Sequence, residues 1–216
     1  MQIHWLGHAC FLVTTGSGKR IITDPFDRQV GYPPPAVPAD IVTVSHQHFD
    51  HNAVQVVPGS PAVVQETGEH VFGDIKITGH PSYHDQSRGS QRGENIIFVI
   101  ETEGLRLCHV GDLGHRLEDD RVKALGKIDI LMIPVGGHYT IDAAEAAAVV
   151  EQLSPAYVLP MHYKTASLDL PIAPVDNFLQ YFPEHEEREV LAVEAGKLPA
   201  QMRVVKLALF KNNRST

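Results

Sequence analysis

The chain has 216 residues, a formal net charge of −8, 43% hydrophobic residues and 20% charged ones. That length predicts one to two domains, with one the better expectation, and a core large enough to need no disulfide scaffold. The balance excludes a mostly disordered chain, and the acidic surplus argues against a nucleic-acid partner because it repels phosphate backbones.

In chain order, Gln2–Leu6, Ala9–Thr15 and Arg20–Thr23 read as three short strands, the last two joined by a glycine turn. Residues 25–38 contain five prolines and are expected to run as a surface loop. Ala39–Ser45 is a β-branched run, a buried strand, and it ends in HQHFDHN. Pro61–Gln65 and Asp74–Thr78 read as further strands, and 80–95 as a long polar loop. Ile96–Glu101 and Leu105–Val110 form a hairpin signal, followed by Gly111-Asp112. Asp129–Pro134 is a strand ending in GGHYT. Asp142–Leu153 is an alanine-rich helix that Thr140 or Asp142 can cap. Ala156–Pro160 leads into MHYKT, Val175–Tyr181 suggests a short helix, and Met202–Phe210 a terminal strand. The EHEERE run at 184–189 reads as a solvated helix face.

The opening MQIHWLGH has no basic stretch followed by an apolar one, so no secretory leader is expected. No window of about 18 apolar residues predicts a membrane span. Cys10 and Cys108 form no metal-type pair and sit in apolar runs, so both are expected as buried thiols in a reducing, cytoplasmic setting.

Four times a short apolar strand ends in a polar loop bearing His or Asp: HQHFDH, GD, GGHYT and MHY. Loops gathered at one end of a sheet are where sites are built. Within HQHFDH, His46, His48, Asp50 and His51 are all ligand types for first-row metals. On an extended segment His46 and His48 point to one side, while Asp50 and His51, past a turn, can face a second ion. The alternative is a polar turn opening a helix near Asn52.

These segments resemble the metallo-β-lactamase superfamily. More narrowly, they resemble small metal-dependent hydrolases related to the ascorbate-6-phosphate lactonases and the N-acyl-phosphatidylethanolamine phospholipase D group. The resemblance is carried by WLGHACF (5–11), TDPF (23–26), SHQHFDH (45–51), SYHD (82–85), HVGD (109–112), PVGGHYT (134–140) and PMHYKT (160–165). It implies a mixed α/β fold, a four-layer αβ/βα sandwich in a single domain over 1–216, with metals at the loop edge between two sheets. It implies a first site of His46, His48 and His84, with His80 as the competing choice for the third ligand. The implied second site is Asp50, His51 and His162, and Asp112 is the carboxylate shared by both. Two divalent ions are implied, zinc by default, with manganese or iron as alternatives. Asp50 and Asp112 are the implied catalytic carboxylates.

His8 and Asp24 are candidates for supporting the ligands. His138, Tyr139, Tyr163 and Lys164 are candidates for holding substrate oxygens, and Arg88 and Arg92 for recruiting an anion. The expected activity is hydrolysis of a small ester, lactone or phosphoester by a metal-bridged hydroxide. Alternatives are a di-iron oxygen or nitric-oxide reductase and a non-catalytic metal-binding protein. The expected partner is a small-molecule substrate, with no membrane; the oligomeric state stays open.

Overall fold

The computed structural model describes residues 1–211. It contains two β-sheets. The first is built from β1 (Gln2–Gly7), β2 (Cys10–Thr14), β3 (Arg20–Thr23), β4 (Ile41–Thr43) and β5 (Ala62–Val64). The second starts with β6 (Gly68–Phe72), β7 (Ile75–Tyr83), β8 (Glu94–Thr102) and β9 (Leu105–His109). After the helix α1 (Asp119–Leu125) come β10 (Ile130–Pro134), α2 (Ala143–Leu153), β11 (Tyr157–Met161) and α3 (Asp176–Leu179). The chain closes with β12 (Glu186–Arg188), β13 (Leu191–Ala192) and β14 (Arg203–Leu207). Spatial order is β13-β1-β2-β3-β4-β5 in the six-stranded sheet and β12-β14-β11-β10-β9-β8-β7-β6 in the eight-stranded one.

The apolar interior explains why these segments form sheets. Ile21, Ile22, Ile97, Phe98, Ile100, Leu107, Ile130 and Leu131 are fully buried, each contributing about 1.5–3 kcal/mol by leaving water. β10 and β11 are buried along their whole length, the pattern of strands covered on both faces. Helix α2 buries Ala146, Val149, Val150 and Leu153, the i, i+3, i+4, i+7 stripe of an amphipathic helix. Of the two predicted caps, Asp142 is the one used: it accepts from Glu145 N–H, and Glu145 reciprocates, a closure worth about 1 kcal/mol.

Two expectations are corrected. The polar stretch 80–95 is not all loop, because β7 continues to Tyr83 and β8 begins at Glu94. Pro81 is tolerated because β6 pairs only as far as Gly79, which leaves the Pro81 edge open on that side. Residues 184–189 do not form a helix face. Glu186–Arg188 is an edge strand parallel to β14, held by Arg203–Glu186 at 2.8 Å and Lys206–Glu187 at 2.9 Å. Beyond these, β6, β13 and α1 are elements the sequence reading does not foresee, in stretches that carry no clear periodicity.

The topology places the site. β1 and β3 run the same way through antiparallel β2, and β4 is parallel to β3. In the other sheet β7 and β9 run the same way through antiparallel β8, and β10 and β11 are parallel to β9. His8, Asp24, His46–His51, His84, Asp112 and His162 each lie just past the carboxyl end of one of these strands. Carboxyl strand ends are where α/β sheets leave room for ligands. Hydrogen bonds stitch the two sheets there: His162 N to His8 O at 3.1 Å, Ile96 N to Ser45 O at 2.9 Å, and His109 Nε2 to Ala9 O at 2.8 Å.

Candidate metal centre

Two groups of side chains converge at this edge, and a third close set, Asp24 with His46 and His51, spans them. In one, the ligand atoms of His46, His48 and His84 lie within 4.8 Å of one another; in the other, those of His8, Asp50, His51 and His162 do. Asp112 sits against both. Its Oδ2 is 3.1 Å from His84 Nε2, 3.3 Å from His51 Nε2 and 3.3 Å from His162 Nε2. His80 is not part of either group; it lies on β7 opposite Ile97.

Backbone geometry aims these groups. His8, Asp24 and His162 have φ of 52°, 39° and 51°, left-handed conformations that cost a non-glycine residue about 1–3 kcal/mol and cluster at functional sites. Gly111, before Asp112, has φ 56°, and a Cβ there would lie 2.3 Å from Asn95 Oδ1. Asn95 explains the closeness. Its Oδ1 accepts from Asp112 N–H at 3.0 Å while its Nδ2 donates to Val110 O at 2.9 Å and to Ser82 Oγ at 2.7 Å. Sequence reasoning missed Asn95, Ser45 and Ser82. An isolated polar residue near a strand terminus carries no signal until its partners are known.

Asp24 is fully buried and supports the centre from behind, accepting from His51 Nδ1 at 2.9 Å and from Ser45 N at 2.7 Å. His8 donates through Nε2 to Asp50 Oδ2 at 3.0 Å, and its backbone carbonyl accepts from Trp5 Nε1 at 2.9 Å.

Titration follows from burial and charge. Burial, then the proximity of His51, pushes His46 down to about 3. Burial, then His162, pushes His8 down to about 4. Burial would also strip His51 of its proton, but Asp112 and Asp50 outweigh it and raise its pKa well above the usual value. Burial opposes ionisation of Asp50 and Asp112. His51 for the first and His162 with His51 for the second overcome it, so both stay carboxylates.

The remaining candidates separate. Tyr139 lines the cavity of about 520 Å³ over the cluster, along with Phe49, Arg92 and Leu170. His138 is exposed, its ring edge-on to Tyr139 at 4.5 Å. Tyr163 and Lys164 do not line the cavity, contrary to expectation. Tyr163 is buried and stacked on Trp5 at 5.2 Å, because the left-handed turn at His162 sends consecutive side chains to opposite sides. Lys164 Nζ donates to Leu170 O at 3.0 Å. Arg88 belongs to a different cleft with His115 and Arg121. Cys10 and Cys108 are buried free thiols; burial pushes Cys108 up to about 12, which removes any thiolate at neutral pH.

The donor set tests well for a metal. Among the described residues, buried side-chain N and O atoms without a hydrogen-bond partner include His46 Nε2, His51 Nε2, His84 Nδ1, His162 Nδ1 and Asp112 Oδ1. Orphaned buried donors and acceptors in one place are costly, and imidazole with carboxylate is the donor chemistry that suits zinc and its neighbours.

Two sheets with this cluster at their shared carboxyl edge define a metallo-hydrolase architecture. A β-lactamase superfamily domain profile matches residues 2–162. The UPF0173 metal-dependent hydrolase of Thermococcus onnurineus is 31% identical over 193 residues, covering 76% of this chain and 85% of the relative. That of Pyrobaculum arsenaticum is 31% identical, covering 92% of this chain and 95% of the relative. The crystal structure of a Zn-dependent hydrolase of the metallo-beta-lactamase superfamily from Thermotoga maritima is similar throughout: TM-score 0.81, 41% identity, 95% of this chain and 97% of that one. The chain belongs to the metallo-β-lactamase superfamily and is a metal-dependent hydrolase of that fold. No helix among the described residues is long and apolar enough to cross a membrane.

Proposed function

We infer that the chain is a cytoplasmic hydrolase with two resident divalent ions, zinc by default, acting on a small ester, lactone or phosphoester. The observation that carries the two-ion reading is Asp112 Oδ2, which faces His84 of one group and His51 and His162 of the other at 3.1–3.3 Å. His46, His48 and His84 would hold one ion, Asp50, His51 and His162 the other, and Asp112 both. Such ions supply Lewis acidity toward a substrate oxygen and bring the pKa of water toward neutrality.

The chain's own residues do the rest. Asp24 and Ser45 orient His51 and His46. Asp50, kept ionised by His51 and His8, is a hydrogen-bond acceptor that can orient an attacking water at the site. His8, with Nε2–H committed to Asp50, fixes which way that carboxylate faces. The buried thiols offer no competing nucleophile. The substrate is a small molecule reaching the cavity of about 520 Å³, and the net charge of −8 disfavours nucleic acid.

The test is a panel of carboxylic ester, lactone and phosphoester substrates on zinc-replete protein and on chelator-stripped protein. Hydrolysis of at least one class, lost on stripping and restored by zinc, supports the reading. Turnover that survives stripping, or none in any class with both ions bound, overturns it.

A further inference from the structure

The cavity over the cluster is lined by His48, Asp50 and Asp112, and also by Arg92, Phe49 and Tyr139. Arg92 is half-buried, and its guanidinium carbon lies 5.5 Å from the centroid of the Tyr139 ring. Among the described residues the guanidinium has neither a carboxylate within ion-pair distance nor a hydrogen-bond acceptor; the one hydrogen bond of Arg92 is made by its backbone.

That backbone is pinned. Asp85, buried beside His84, accepts from the N–H groups of Ser87 (2.7 Å), Gly89 (3.0 Å), Gln91 (3.0 Å) and Arg92 (2.8 Å). One carboxylate therefore folds the whole 86–92 segment and delivers Arg92 to the cavity before any ligand arrives. Stacking on an aromatic face uses the flat side of a guanidinium and leaves its fork of N–H donors free for a planar or tetrahedral oxyanion. A chain of net charge −8 does not collect anions in general, so a preorganised cation in this cavity selects for them locally. Phe49 is 53% exposed, and with Tyr139 it adds aromatic surface to the same cavity.

We propose that Arg92 is a specificity-determining residue that binds a carboxylate or phosphate group on the substrate, while the substrate's apolar part lies against Phe49 and Tyr139. This rests on the hydrolytic reading of the cluster, but binding tests it apart from turnover. Phenylacetate, phenyl phosphate and neutral phenylacetamide would be titrated by calorimetry into wild type, Arg92→Ala and Arg92→Lys, each zinc-replete and chelator-stripped, with melting temperature and zinc content measured on the same samples.

The expected result is that Arg92→Ala weakens binding of at least one anion by about tenfold or more in both metal states and changes phenylacetamide by less than about twofold. Arg92→Lys should recover part of the loss. Whichever anion loses more identifies the group recognised. Equal losses for the amide and the anions, no loss for either anion, or no anion binding to wild type at tens of millimolar would overturn the proposal. Anion binding that depends on Arg92 in a protein that hydrolyses nothing would leave it standing and remove the hydrolytic reading instead.

Discussion

Asp24 Oδ2 accepts a hydrogen bond from His51 Nδ1 at 2.9 Å, and both side chains are fully buried. The contact turns His51 Nε2 toward Asp112 and Asp50, at 3.3 Å and 3.6 Å. Asp24 also accepts from Ser45 Oγ, which in turn meets His46 Nδ1 at 3.0 Å. A single carboxylate outside either ligand group thus orients one histidine of each.

Asp24→Asn is therefore expected to weaken binding of both ions by about 10–100-fold, the usual cost of losing a partner behind a metal ligand. Competition with a calibrated chelator measures this. Loss confined to the ion beside His51 would mean that the Ser45 link to His46 does nothing, and loss confined to the ion beside His46 that the His51 contact does nothing.

Asp112 and His162 should differ. Asp112 faces histidines of both groups, whereas His162 groups only with His8, Asp50 and His51. Asp112→Ala is expected to lower occupancy of both ions, and His162→Ala to empty the second while the first stays bound. Ion counts on the two purified variants decide the matter; matching losses would remove Asp112 from its shared position.

Acidification should release the two ions at different pH. His46 is held down to about 3, so above that it carries no proton for an ion to displace. His51 is raised well above its usual value, so an ion arriving beside Asp50 must expel a proton, and its affinity climbs with pH until that raised pKa is passed. Stability of the ion-free chain follows the same signs. His46 and His8, depressed to about 3 and about 4, contribute stability that is full above the unfolded value near 6.5 and is lost as pH falls below it. His51 works the other way, contributing below about 6.5 and losing that contribution as pH rises through its folded pKa. Ion content followed from about pH 8 down to about pH 5 should show the second ion leaving first. Simultaneous release would contradict the different settings of His46 and His51.

Much of this was legible in the sequence, for a physical reason. Short apolar strands, such as Ile130–Pro134 and Tyr157–Met161, announce themselves, and the ligand types cluster where those strands stop. His84 could be matched only by resemblance, because its neighbours in sequence say nothing about the two-strand reach of β7 that carries it to Asp112. Tyr163 misled: adjacency to His162 suggested the cavity, but a residue one step past a left-handed turn faces away, here onto Trp5. Asn95 and Ser45 stayed hidden because their roles depend on partners distant in sequence, Val110 for Asn95 and Asp24 for Ser45.

The loop carrying Arg92 has its own test. Asp85→Ala removes the acceptor of four backbone N–H groups and should cost on the order of 2 kcal/mol, given the strength of hydrogen bonds to charged groups. Denaturant melts of metal-stripped wild type and variant measure the difference. An unchanged midpoint would show that the 86–92 segment folds without that carboxylate.

The most direct measurement of the central claim is elemental analysis of protein reconstituted with excess zinc and freed of loosely held metal. The arrangement of His46, His48 and His84 on one side of Asp112 and Asp50, His51 and His162 on the other leads to about two zinc ions per chain, since these donors exceed what one ion with an open position can use. One ion per chain or fewer, in a sample whose fold is intact by its melting curve, would contradict it.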